Sequence, residues 1–541
     1  MQGVKDEELT QEEKNLISNY FTNLDKPVFA LINLPEVVKG ALFSRYSRSA
    51  KGLRRLLLDE FILKQEMEFQ QIVGNNKEEQ IVAIQRAEEF YERVLVGYGD
   101  DSVAELGGAH ISCEQISQLT AKFVEGSRIG ISPLEKSTRY VLFNKKIDGR
   151  YPYYLDPIIM NSEFADIYIG TCNLLFDTYS RLIEPMTMYF IEKNPKGDEI
   201  SERAYNSSIR AKVYDVIRGL LPASTLTNVG LYGNGRAYEY LLTKMFSHPL
   251  TEIRDIARNM NEELNKVIPS FVKRCNDKHG KSTQDYIIQT NKDMQDFANR
   301  NFNIDKSQVE ELTLVDYDIS AETKVLSAMI YPYTRLPLKQ IMEMINSMSE
   351  NEKEEIVNVY YQRRQNRRHK PGRALENVYY CFDILANYGA YRDLQRHRVL
   401  TQEAQDLTVE NGYDIPTELV NAGFENDYVE CMNTVEHTFN QMYKKYPKQS
   451  QYVVTLGHKI RWYIRLNLRE LCHLTELRTM RQGHSDYRRI AQKMYSKVKA
   501  VHPVLAKNIR FVDMNEYSLE RIEAEKKIDT KLEEIKKKYE A

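Results

Sequence analysis

The sequence predicts a helix-rich α+β protein made of two diverged copies of one unit, each a small antiparallel sheet with packed helices. Three observations predict this. The chain has 541 residues, enough for roughly three or four domains at about 150 residues each. Its apolar residues recur mostly at helical spacing, interrupted by a few short apolar runs bounded by proline. Landmarks of the first half also return in the second, in the same order. The extended run near Pro27 is echoed by Leu326 to Tyr333, and the long pattern from Glu105 by one from Glu376. Asn234-Gly235-Arg236 with His248 is echoed by Asn467-Leu468-Arg469 with His484. The spacings drift by a few residues, as expected of a diverged duplication.

Composition narrows the function classes. Hydrophobic residues make up 42% and charged residues 28%, as in ordinary globular proteins. Net charge is −2, so no global basic field argues for nucleic acid. The chain has 36 tyrosines and one tryptophan, and tyrosines pack helix surfaces as readily as they line polar sites. Six scattered cysteines form no CxxC and no zinc-like spacing with histidine, so no metal site is expected. They fit buried thiols in a reducing cytoplasm. No run of about 20 apolar residues predicts a membrane span, and the acidic N-terminus does not read as a signal peptide.

In order, residues 1–26 read as a polar helical leader, and Pro27 to Pro35 as a strand or extended segment. The first copy spans 27–275. Within it, Arg45 to Arg55 is a basic stretch of the kind usually found on a solvated face. A long helical pattern runs from Glu105 to about Glu125. Ser132, Pro133 and Glu135 have the form of a helix capping box, which leaves Ser137 and Arg139 unexplained. These two residue types suit a phosphate or a uracil-like ligand. Residues 276–312 turn polar and read as a connecting segment, and 313–541 as the second copy.

Two basic stretches mark the second copy. Val378, Phe382, Leu385 and Leu394 predict a helix leading into Arg396-His397-Arg398. Such a triplet suits an electron-rich, planar or phosphorylated ligand, because arginine offers a rigid fork of donors and histidine can donate or accept. Basic residues at a helix C-terminus are also favoured by the dipole alone, by about 0.3–1 kcal/mol each. A second basic helix is expected from Lys459, with Arg461, Arg465, Arg469 and His473 on one face, Arg478 turned away, and Gly483 ending it.

These residues resemble the flavin-dependent thymidylate synthases, whose pattern is RHRxxSxxExSxRY followed by NxR and a further arginine. Here the pattern is divided. The second half carries Arg396-His397-Arg398, Asn467-Leu468-Arg469, His473 and Arg478. The first half carries Ser132, Glu135, Ser137, Arg139 and Tyr140, and Arg218 before Leu221-Pro222. Gly99 to Glu105 resembles the family's GHxSVxE, with Asp100 in place of histidine. Each half departs where the other complies: Ser127-Arg128-Ile129 stands for RHR, Lys244 for the later arginine, and Thr401, Ala404, Asp406 and Thr408 for Ser, Glu, Ser and Arg.

The resemblance implies an enzyme that methylates dUMP to dTMP, with FAD as cofactor and NADPH and methylenetetrahydrofolate as co-substrates. It implies FAD contacts from Arg396, His397, Arg398, Asn467, Arg469 and His473. It implies dUMP contacts from Glu135, Ser137, Arg139 and Arg218, and a catalytic role for Arg478 beside the uracil ring. It implies a homodimer that imitates the family's tetramer. The departures keep open a flavin- or nucleotide-binding relative that has lost turnover and acts in regulation. A helical nucleic-acid binder using Arg363-Arg364 and Arg367-Arg368 is a third class, opposed by the net charge.

Overall fold

The computed structural model describes residues 9–47, 49–63, 104–127, 129–302 and 310–539. The Gly99–Val103 part of the GHxSVxE-like segment and Arg128 lie outside them. The chain is helix-rich, with two small antiparallel sheets, as the sequence predicts. It divides into two compact units: 1–115, 127–135 and 228–304 form the first, and 116–126, 136–227 and 305–541 the second.

The leader contains a helix, Gln11–Ile17, closed by a capping box between Thr10 and Glu13. The first sheet has the order β1-β3-β2, with β1 at Gly108–Ser117, β2 at Ile131–Glu135 and β3 at Leu226–Asn234. The expected helix from Glu105 is therefore a strand followed by a short helix, Gln118–Glu125. The expected capping box at Ser132 is strand β2. Pro133 is tolerated there because β2 is an edge strand, where a missing N–H disrupts no second neighbour. Residues 276–312 are not a plain connector: they include the 24-residue helix Lys278–Asn301, none of whose residues is buried.

The second unit holds the other sheet, in the order β4-β5-β7-β6, with β4 at Leu312–Tyr317, β5 at Tyr379–Asn387, β6 at Leu400–Ala404 and β7 at Lys459–Asn467. Both predicted basic helices are corrected here. Tyr380, Phe382, Ile384 and Ala386 point inward from β5, and Ile460, Trp462, Ile464 and Leu466 from β7. That is a period of two, and the alternation buries a strand face. The helices begin only at Tyr388 and Leu468.

Four strands hand over to helices through a polar cap. Ser117, Asn234, Asn387 and Asn467 each accept a hydrogen bond from the backbone N–H three residues on, at 2.8–3.0 Å. Ser117, Asn387 and Asn467 belong to the second unit and Asn234 to the first, and in the second unit segments at matching sequence offsets from the caps meet in a local two-fold relation. Pro222 bridges Thr455, and each lies twelve residues before its own capping Asn. Tyr388 Oη donates to the Gln118 carbonyl, each one residue past its cap. Gln395 Nε2 donates to Glu125, each eight residues past. The core around this relation is rich in tyrosine: Tyr153, Tyr168, Tyr179, Tyr380, Tyr388, Tyr428 and Tyr452 are fully buried with Trp462.

Candidate functional site

The site lies in the second unit and begins where helix Tyr388–Leu394 ends. Buried Leu394 anchors the turn, which sends His397 inward at 4% exposure and leaves Arg396 and Arg398 exposed. His397 Nδ1 lies 2.7 Å from Glu470 Oε1. On the ring's other side, Arg478 Nε donates to His397 Nε2 at 2.9 Å. A guanidinium has no lone pair to offer, so Nε2 must be the acceptor. His397 is therefore neutral, with its proton on Nδ1 donated to Glu470. His473 stands beside it, ring centroids 5.6 Å apart, and burial pushes its pKa down. His397, Glu470 and His473 have metal-ligand atoms within 4.8 Å of one another. Both His397 nitrogens, however, are already engaged, one by an arginine.

The remaining residues expected to hold a cofactor are placed around this core. Asn467 caps helix Leu468–Arg478, so its side chain is committed to the backbone. Arg469 pairs with Glu376 at 2.7 Å and donates to the Pro371 carbonyl at 2.9 Å. Arg396 lies 3.5 Å from Glu125, a carboxylate it shares with Arg392 and Gln395. Arg461 and Arg465 belong to β7 and not to the same helix as Arg469 and His473. Arg461 pairs with Asp383 across to β5. Of the basic run at 363–368, Arg364 turns inward onto Glu476 at 2.6 Å.

The residues expected to meet the nucleotide form a second cluster. Ser137 Oγ accepts from the Arg139 backbone N–H at 3.2 Å, bending the chain. Arg139 grips Asp215 with both prongs, at 2.7 and 2.6 Å, and donates to Tyr487 Oη at 3.2 Å. Burial opposes charge on Asp215, but Arg139 outweighs it and holds the carboxyl well below the usual range. Arg218 pairs with Asp393 at 3.2 Å. Burial likewise raises the Asp393 pKa, and Arg218, Arg139, Arg478 and His484 together reverse the shift downward. The Asp393 carboxylate thus feels the positive charge of Arg139 and Arg478 as well as that of its partner Arg218. Tyr487 links the same groups, its ring centroid 5.7 Å from the Arg139 guanidinium and 5.6 Å from that of Arg478. Burial lowers the pKa of His484, whose Nε2 faces the Asp215 carbonyl at 3.1 Å. Glu135 ends β2 in the first unit. A cavity of about 820 Å³ opens beside the cluster, lined among others by Asp215, Arg218, Asn387, Asp414, Tyr428 and His484.

Sequence reasoning missed Asp215, Asp393, Glu470 and Tyr487. The first two stand three residues before Arg218 and Arg396, at a spacing that carries no signal without the fold.

These features define a helix-rich α+β protein with a buried arginine–carboxylate centre joined to a neutral histidine. The chain belongs to the Thy1 family, described as thymidylate synthase complementing protein, whose model matches residues 55–270 and 313–504. It is 43% identical to a UPF0159 protein of Chlamydia muridarum and 44% identical to one of Chlamydia pneumoniae, each match covering 96% of this chain and 98% of the relative. A UPF0159 protein of Thermoplasma acidophilum is 34% identical over 90% of this chain and 97% of its own. Similar solved structures include the UMP/dUMP methylase PolB of Streptomyces cacaoi bound with 5-Br dUMP. It has a TM-score of 0.30 and 14% identity, over 37% of this chain and 94% of that one. Thymidylate synthase X of Helicobacter pylori with FAD and dUMP has a TM-score of 0.28 and 16% identity, over 37% and 99%.

Proposed function

We propose that the chain is an FAD-dependent thymidylate synthase that methylates dUMP to dTMP, taking the methylene from methylenetetrahydrofolate and reducing equivalents from NADPH. The observation that carries this reading is the convergence at Arg478. Residues of two separate stretches meet its side chain: His397 Nε2 accepts from its Nε at 2.9 Å, and the Tyr487 ring centroid lies 5.6 Å from its guanidinium.

The donor set fits a flavin dinucleotide. Arg396, Arg398, Arg469 and His473 carry donors that suit a pyrophosphate and ring carbonyls, and His473 stands beside the buried His397 imidazole. FAD, when bound, supplies the hydride chemistry. The chain supplies binding and charge. Arg478 stabilises the negative charge that develops as the uracil ring loses its N3 proton, and Glu470 holds His397 so that Nε2 keeps Arg478 in place. Ser137, Arg139 and Arg218 serve the nucleotide phosphate, and Glu135 keeps its nucleotide assignment on the resemblance alone. The two-fold relation among the caps supports a tandem duplication, and with it a homodimer in place of the family's tetramer.

One observation favours a second reading, a nucleotide-binding relative without turnover: Arg139 already carries the buried carboxylate of Asp215, and Arg218 the half-buried one of Asp393. The test is purification with its flavin spectrum, followed by tritium release from C5-labelled dUMP with NADPH and methylenetetrahydrofolate. Tritium release establishes the enzyme. A yellow protein without release leaves the second reading, and a colourless protein that cannot be reconstituted with FAD removes both.

A further inference from the structure

Arg521 precedes the C-terminal helix Ile522–Tyr539 and lies beyond both stretches matched by the family model. It is 4% exposed. One face of its guanidinium lies 4.1 Å from the Tyr140 ring centroid, and Nη1 reaches the Arg139 carbonyl at 3.5 Å. Nη2 stands 3.9 Å from Asp215, which Arg139 already grips with both prongs. Nε and Nη2 of Arg521 have no hydrogen-bond partner among the described residues. Buried charged donors are costly to leave unpaired, and each instance calls for an explanation.

The charge count supplies one. Four guanidinium groups, Arg139, Arg218, Arg478 and Arg521, meet two carboxylates, Asp215 and Asp393. Among the described residues, no carboxylate lies within ion-pair distance of Arg478. His484 adds no charge near neutral pH, since burial pushes its pKa down. Of the adjoining charges, Arg488 is matched by Asp513, and Lys212 holds two carboxylates, Glu418 and Glu520, which leaves one negative charge over. The four guanidiniums therefore outnumber the carboxylates they meet, and one positive charge stays in excess once the Lys212 group is counted. Arg521 is also held firmly. Glu520 before it bonds Lys212 at 2.8 Å, and the helix after it is clamped by Arg203 through Glu525 and Asp529.

We propose that Arg521 is a further anion-binding residue of this cluster, and that the anion is the phosphate of a monoester. The identity of the rest of the ligand rests on the thymidylate synthase reading; the phosphate contact does not.

The experiment is calorimetric titration of the full chain, wild type, Arg521→Gln and Arg521→Lys, with dUMP, deoxyuridine and inorganic phosphate, together with thermal unfolding of the ligand-free protein. The wild type should bind phosphate and dUMP. Arg521→Gln should weaken both about 10- to 100-fold, as expected for lost charge-assisted bonds, and Arg521→Lys should weaken them less. Deoxyuridine affinity should not change. Without ligand, Arg521→Gln should unfold at the same or a higher temperature, because an uncompensated buried charge is removed. A purely structural arginine would lower that temperature and weaken deoxyuridine in parallel, and this result would overturn the proposal. So would a wild type that binds no phosphate, or unaltered dUMP affinity in the variants. Arg521-dependent phosphate binding without preference for dUMP would sustain the anion site and defeat the thymidylate reading. If Arg521→Gln does not fold, Arg521→Lys is judged by the same comparison.

Discussion

At the scale of single residues, Glu470, His397 and Arg478 form one hydrogen-bonded line, so the first tests belong there. Arg478→Ala should keep flavin and lose turnover, whereas Arg398→Ala, at an exposed position, should empty the flavin site. Flavin absorbance beside tritium release separates the two, and retained turnover in Arg478→Ala would cancel its role. Asp215 gives a stability test. Its Asn variant leaves Arg139 buried beside a neutral group, and breaking such a pair costs about 3–5 kcal/mol in chemical denaturation at pH 7. The pH sign is fixed by the depressed carboxyl of Asp215. Its contribution is fully present above the unfolded value near 3.9 and fades as pH falls below it toward the folded value. Asp215→Asn should therefore lose stability at neutral pH and show a flatter profile below about pH 4. His458 acts over a higher window. Burial pushes its pKa down to about 3, and its Nδ1 lies 2.9 Å from Thr455 Oγ1 at the two-fold relation. Its stabilisation is complete above the unfolded value of about 6.5 and is lost as pH falls from there.

At the scale of elements, β5 and β7 show what the sequence disclosed and what it hid. Val378 and Phe382 are four apart, and so are Arg461 and Arg465. Four is one helical turn, but it is also an even number, so a strand places the same pairs on one face. The intervening Tyr380 and Trp462 break the tie, since a helix would turn them away from the core, and both are buried. The helices after the caps were legible, and with them His473 and Arg478. Their partners on other elements were not, because pairing across a sheet leaves no local trace. Another element-scale feature is the close approach of the 219 and 457 segments to helix Glu425–Tyr443. A Cβ at Gly457 would lie 2.2 Å from Tyr428 Oη, and one at Gly219 2.5 Å from it. Gly457→Ala should cost about 1–3 kcal/mol by overpacking. Tyr428→Phe removes that hydroxyl, which has no hydrogen-bond partner among the described residues, and should cost little alone and rescue part of the Gly457→Ala loss. Urea midpoints of the two single variants and the double variant measure the coupling, and strict additivity would show that the hydroxyl is not the obstacle.

At the scale of the whole chain, two family-like stretches were legible from the returning Asn-x-Arg landmarks, and the family model matches two stretches, but which of them does which work was not legible. The caps now give a register. Arg478 stands eleven residues past Asn467, and in this register the residue eleven past Asn234 is not the expected Lys244 but its neighbour Met245, fully buried. Arg218 stands sixteen residues before Asn234, and the residue sixteen before Asn467 is Gln451, which is buried and accepts from the Leu407 backbone. A buried thioether cannot stabilise a developing negative charge, and a committed amide cannot stand in for an arginine that meets an anion. Under the duplication reading, only one of the two ancestral site types keeps its charged groups. The chain should therefore bind one flavin, not two. Flavin absorbance after denaturation, set against protein concentration from amino-acid analysis, gives the ratio, and native mass measurement should find two chains per particle with two flavins. Four flavins per dimer would mean that the site type with Met245 and Gln451 in place of the two arginines still holds cofactor, and that charge at those positions is not what a working site requires.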